Sequence, residues 1–291
     1  MIDRKTKLRP YIMLLPLLVF IVGIFITGIV FGLFQSFGYY PAIGLKTFTI
    51  DYYINIFSDD NFLSSLKFSV YTSLVSSFLS VIFGLILAYT LVSSSKNTKN
   101  RFINVYKLPI MVPHTIAALL TFMLFTQSGL MSRIFYSLGI ISEMSEFPHL
   151  IFDKNGFGII LAYLWKGMPF ITLITYDVLQ ELNEKYSKVA ANLGSNKYQI
   201  FWHVLLPLII PTIASGFIII FAFSFGAYEI QYLLGASTPK ALPILSYIYY
   251  NSVNLEDRCN AMVINVCISI CSFILVGVFM LANRFMMKNK N

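Results

Sequence analysis

Charge is what this 291-residue sequence has least of: Asp, Glu, Lys and Arg make up 12% of it, against 57% hydrophobic residues. That shortage excludes an ordinary soluble globular chain, in which charged residues run at about a quarter. Acid is scarcer than base, 13 residues against 21. In a soluble protein the resulting net charge of +8 would suggest nucleic acid. Here the basic residues lie between apolar runs, and their placement needs no nucleic acid to explain it. Cysteine occurs three times, at Cys259, Cys267 and Cys271, with no metal-ligand spacing. The last two share a helix face as small packing residues. Also absent are the phosphate loop G-x-x-x-x-G-K-[ST] and the catalytic patterns H-E-x-x-H and G-x-S-x-G. No ATP hydrolysis, catalytic residue or metal site is therefore assigned to this chain. The three histidines, His114, His149 and His203, stand far apart. Alternation of polar and apolar residues over ten-residue strands is missing too, which excludes a transmembrane β-barrel.

What is present is six long apolar runs, about 11–32, 64–92, 109–125, 158–179, 208–228 and 261–285. Crossing a bilayer as a helix takes roughly 20 apolar residues. The expectation is an all-α membrane protein, one domain over 1–291 built as a six-helix bundle. The first run follows a basic head but is too long for a secretory signal and lacks a small-residue cleavage site, so it reads as an uncleaved helix. The second carries Ser73, Ser76, Ser77, Ser80, Gly84 and Ala88, small residues that permit close helix approach. Pro109–Pro113 reads as the start of the third run. The fourth reads as interrupted at Trp165–Phe170. Six crossings leave both termini on one side. Fourteen of the 21 basic residues fall in the N-terminus, 93–107, the 180–207 connection and the tail, and five in the opposite loops. The positive-inside rule then makes the termini and the 180–207 connection cytoplasmic.

That connection is the one amphipathic, charge-bearing stretch between apolar runs. Glu181–Leu193 contains helix formers and stops at Gly194, a residue suited to the left-handed end of a helix. Ser195 or Asn196 can cap a second short helix, in which Tyr198, Phe201, Trp202 and Leu205 recur about one turn apart, before Pro207 and Pro211. The reading is two short helices joined by a glycine elbow, the second presenting an aromatic face. Lys188-Val189-Ala190, Leu193-Gly194 and Leu206-Pro207 resemble the EAA loop of permease subunits in binding-protein-dependent ABC importers. Lys188 stands where that family has glutamate. Leu14-Leu15-Pro16, Gly84-Leu85 with Ala88-Tyr89, Leu108-Pro109 with Val112-Pro113, and Trp165-Lys166 with Pro169-Phe170 extend the resemblance over nearly the whole chain. It implies a MetI-like, non-catalytic permease whose segment Lys188, Val189, Ala190, Gly194, Tyr198, Phe201, Trp202 and Pro207 docks on an ATPase. It also implies two ATPase subunits holding ATP and Mg, a second permease subunit of different sequence, an extracytoplasmic binding protein, and a lipid-embedded place in a bacterial inner membrane.

Ionisable groups inside spans are costly and so draw functional attention. Lys166 reads equally as lining a path or as a structural partner. Glu229 stands about 20 residues, or roughly 30 Å of helix, beyond Ile209, which places it at the outer face. With Phe225 and Tyr228 it could form an aromatic-acid rim there, or an ordinary interfacial belt. Phe225-Gly226-x-Tyr228 and Leu233-Leu234-Gly235 resemble the polyamine (spermidine/putrescine) branch, with phosphonate, iron and sugar permeases as alternatives. The competing class is a self-sufficient secondary carrier or channel, which would ordinarily show internal repeats and several midplane charges.

Overall fold

The computed structural model describes residues 4–95 and 105–288. Most of the basic connection read at 93–107, with Lys96, Lys99 and Arg101, lies outside the described residues, as does Lys290 of the tail. Among the described residues, six helical stretches are long and apolar enough to cross a membrane: Met13–Ser36, Asp60–Ser93, His114–Ser137, Phe157–Asn192, Lys197–Gly226 and Asp257–Val278. In chain order they are called here the first to sixth spans. Among the described residues there is no β-strand, only one isolated bridge. The all-α expectation holds, and each expected run contains a helix.

The chain groups into two compact units: residues 1–62 with 245–269, and residues 63–244 with 270–291. In the first unit, the turn after the first span requires Gly38 at φ +80, where a Cβ would meet Thr49 Cγ2 at 2.9 Å. Asp59 then opens the second span by accepting the Asn61 backbone N–H at 2.9 Å, as an N-cap carboxylate does. Its other oxygen takes the Tyr249 hydroxyl at 3.2 Å. Burial, and then the Asp59 carboxylate, push the Tyr249 phenol up, so it remains a donor.

In the second unit, the small residues of the second span are buried as a stripe: Ser69, Thr72, Ser73, Ser76, Ser77 and Ser80 are all fully inside. Most of their hydroxyls bond back to a carbonyl one turn earlier, Ser80 to Ser76 at 2.7 Å and Ser77 to Ser73 at 2.6 Å. The stripe lets the fourth span approach closely. A Cβ on Gly167 would collide with Ser80, and one on Gly84 would fall 2.6 Å from Ile171 Cβ. Thr172 closes the contact by donating to the Gly84 carbonyl at 3.1 Å.

Three local readings change. The interruption expected at Trp165–Phe170 is absent: Phe157–Asn192 is one helix with Pro169 inside it. Proline is tolerated within a packed bundle because neighbouring groups take up the freed backbone carbonyl. The third span does not start at Pro109. Residues 105–111 are already helical, the chain breaks at 112–113, and a new helix begins at His114. Pro113 drives Val112 out of the helical region, which explains the break. Finally, the two short helices expected at 181–207 are the ends of long ones. The first continues the fourth span to Asn192, and the second opens the fifth span at Lys197.

Candidate functional site

The turn between the fourth and fifth spans is fixed by its own hydrogen bonds. Gly194 takes φ +87. Its N–H donates to Ala191 O at 2.9 Å, and Ser195 N–H to Ala190 O at 3.0 Å, the paired closure that a left-handed glycine permits at a helix end. Asn196, rather than Ser195, caps the next helix. Its side chain accepts Gln199 N–H at 2.8 Å, while Gln199 Oε1 accepts Asn196 N–H at 2.9 Å.

Two faces result. Ile200, Leu205 and Ile209 are buried with Leu179, Ala88 and Val92, with Ala190 and Leu206 packed against them. Phe201 lies 4.6 Å from the Tyr89 ring. The outer face carries Val189, Leu193, Tyr198 and Trp202, which are 58%, 82%, 69% and 48% exposed. Lys185, Lys188 and Lys197 are exposed around them, and Pro207 is half-buried in the first turn of the following helix. The single aromatic face expected from Tyr198, Phe201, Trp202 and Leu205 is therefore divided. Four-residue spacing puts Tyr198 and Trp202 together outside, 6.0 Å apart, while Phe201 and Leu205 turn inward. An apolar patch of this kind, rimmed by lysines on a rigid turn, is suited to docking a protein partner.

A second feature lies among the third, fourth and fifth spans: a cavity of about 200 Å³ lined by His114, Tyr163, Lys166, Gly167 and the apolar Ile110, Phe170, Ile219, Ile220 and Phe223. The Lys166 ammonium donates to Pro109 O at 2.9 Å and to Val112 O, closing the helix end at the proline break. His114, the first residue of the next helix, stands 4.5 Å from the Phe223 ring. The Tyr163 hydroxyl is enclosed beside the Gln231 side chain, close enough to interact with it, and Gln231 Nε2 donates to Ser224 O at 2.8 Å. A larger open cavity of about 900 Å³ along the second, third and fourth spans is lined almost entirely by apolar side chains. Its one charged residue is Arg133, whose Nε donates to Ser128 O at 3.1 Å.

The expected outer rim is only partly assembled. Glu229 is exposed at the start of the short helix Glu229–Leu234, and Tyr228 stacks on Tyr232 at 4.9 Å. Phe225 is fully buried and stacked on Phe221, so it belongs to the packing and not to a rim. The sequence reading passed over Tyr163 and Gln231 and discounted His114. A titratable residue directly after Pro113 was the available signal; Tyr163 carried none. Among the described residues, no group of His, Cys, Asp or Glu is arranged to hold a metal.

The chain belongs to the family described as the binding-protein-dependent transport system inner membrane component, which its residues 80–286 match. It is 27% identical over 211 residues to the probable sulfate transport system permease protein cysT of Marchantia polymorpha, covering 72% of this chain and 70% of that one. It is 26% identical to the sulfate transport system permease protein CysW of Synechocystis sp., covering 78% and 79%. To the molybdate/tungstate transport system permease protein WtpB of Pyrococcus abyssi it is 27% identical, covering 74% and 77%. In fold it matches a bacterial ABC transporter that imports alginate, with TM-score 0.80, 17% identity and 98% and 96% coverage. It also matches the MetNI methionine ABC transporter, with TM-score 0.51, 17% identity and 79% and 98% coverage. The polyamine assignment gains nothing from these relatives, nor do the phosphonate, iron and sugar alternatives or a self-sufficient carrier. Its motif included Phe225, which reports packing rather than substrate.

Proposed function

We propose that this chain is the membrane permease subunit of an ATP-driven importer for a small tetrahedral oxyanion of the sulfate or molybdate/tungstate class. The observation that carries the transport role is the outward patch of Val189, Leu193, Tyr198 and Trp202, built on a rigid hydrogen-bonded turn. In this reading a pair of ATPase subunits, holding the ATP and Mg, docks there. An extracytoplasmic binding protein delivers the anion, and a second permease of different sequence completes the path. Both termini and the docking turn face the cytoplasm of a bacterial inner membrane, as the basic asymmetry indicates. The substrate class rests on the names of the relatives, and the Lys166 ammonium beside the 200 Å³ cavity suits an anion. Glu229, read above as part of an aromatic-acid rim, would oppose such a substrate.

The test is uptake of radiolabelled sulfate and molybdate by cells with and without the chain. Loss of either uptake on deletion, restored by the intact chain, is the expected result. Restoration should fail with a Val189→Ser/Trp202→Ser chain, which should also release the ATPase on purification. Unchanged uptake of both anions after deletion would overturn the oxyanion reading.

A further inference from the structure

The helix His114–Phe125 has 12 residues and rises roughly 18 Å, short of the roughly 30 Å hydrocarbon core. The helix over 105–111 precedes it, and the two meet at the break of Val112–Pro113. Lys166 sets the depth of that break. It lies about nine residues, or roughly 14 Å of rise, into the helix that begins at Phe157, well inside the span. Backbone polar groups at such a depth have no water to bond with. Pro113 has no N–H, so the carbonyl of Pro109, four residues back, loses the partner that a continuous helix would supply. The Lys166 ammonium donates to that carbonyl at 2.9 Å, and also to Val112 O. It thereby stands in for the missing N–H, and its charge meets the negative end of the 105–111 helix. An uninterrupted helix would need neither the break nor a cation in the span, both of which are costly. The arrangement therefore points to a use for the break.

The two pieces are held by different neighbours. Ala118 packs with Ile159 and Ala162 of the fourth span, and also with Ile230 and Leu234 of the short helix that follows the fifth. The 105–111 piece is fastened to the fourth span through Lys166. From there the fourth span runs unbroken to Asn192 and straight into the turn at Gly194. We propose that Lys166 is a positioning residue for transport: it ties the 105–111 piece to the helix that carries the docking turn, so that displacement of the turn bends the chain at Val112–Pro113. The inference rests on the permease reading above and holds whichever solute is carried. A bend there would reach both cavities, because His114 lines the 200 Å³ one while Ala117, Thr121 and Phe125 line the 900 Å³ one.

Met111 and Met123 are 80% and 65% exposed, one on each side of the break. Spin labels on cysteines at these two positions, in a chain cleared of Cys259, Cys267 and Cys271, report the angle across it in the complex isolated with its ATPase. A non-hydrolysable ATP analogue should shift the spin–spin distance. Lys166→Met should keep the ATPase yet abolish the shift. Lys166→Arg, whose guanidinium can donate to the same two carbonyls, should restore it, which lost packing alone would not do. Pro113→Ala supplies the missing N–H, so Lys166→Met should lower the melting temperature beside Pro113 and hardly at all beside Pro113→Ala. A wild-type distance that ignores nucleotide, or a full shift in Lys166→Met, overturns the coupling role. If Lys166→Met fails to assemble, the Lys166→Met/Pro113→Ala chain takes its place, and a full shift there overturns the role equally. If the intact chain brings down no ATPase, the permease reading falls and this inference with it.

Discussion

At Gly194 the backbone stands at φ +87, with no atom within 4 Å of where a Cβ would sit. A larger side chain there meets no wall, so the penalty is conformational alone. An L-residue in the left-handed region pays roughly 1–2 kcal/mol, and a β-branched one pays more because it rarely enters that region. Gly194→Val should therefore leave membrane insertion and yield intact while displacing Trp202 and Tyr198 relative to Val189 and Leu193. The expected outcome is loss of ATP-driven uptake with release of the ATPase on purification. Gly194→Asn, which tolerates positive φ, should keep both. Full transport in the valine variant with its ATPase bound would reduce the turn to an ordinary loop. Lys188 is exposed on the same surface, so its departure from the family's glutamate alters what a partner meets.

The second and fourth spans make a contact that depends on the absence of side chains. Gly84 leaves 2.6 Å to Ile171 Cβ and 2.8 Å to the Met168 carbonyl, neither of which can swing away as a flexible tip would. Gly84→Leu should lower the melting temperature of the detergent-solubilised protein, corresponding to about 1–3 kcal/mol of overpacking. An unchanged melting curve would mean that the two helices are not held at this distance. The same contact explains why Phe157–Asn192 runs unbroken through Pro169: a helix clamped along its length by Ser80, Gly84 and their neighbours is stabilised by packing, which outweighs one missing backbone bond.

For the whole chain, six spans and the distribution of basic residues lead to a sidedness that labelling can decide. A thiol introduced at Ser195, in a chain cleared of Cys259, Cys267 and Cys271, should resist an impermeant reagent added outside intact cells. It should react in inside-out vesicles, the outcome that the asymmetry of basic residues predicts. Reaction from outside would reverse the orientation and move the turn away from any cytoplasmic ATPase.

Six apolar runs of spanning length, the glycine at position 194 and the asymmetry of Lys and Arg were all legible in one dimension. Each reports a requirement set by the solvent or by a single residue's backbone: bilayer thickness, positive φ, membrane sidedness. Ends and faces were not legible. Whether Glu181–Leu193 is a separate helix or the end of a 36-residue one depends on what packs beside Pro169, and that partner, the Ser80–Gly84 segment, lies far away in sequence. Likewise, only the packed bundle decides that Phe201 turns toward Tyr89 while Trp202 turns out, or that Phe225 is core and not rim. The cavity depends on the fold most of all. His114, Tyr163 and Lys166 come from two spans, and no local pattern marks residues that only the packed bundle brings to one cavity.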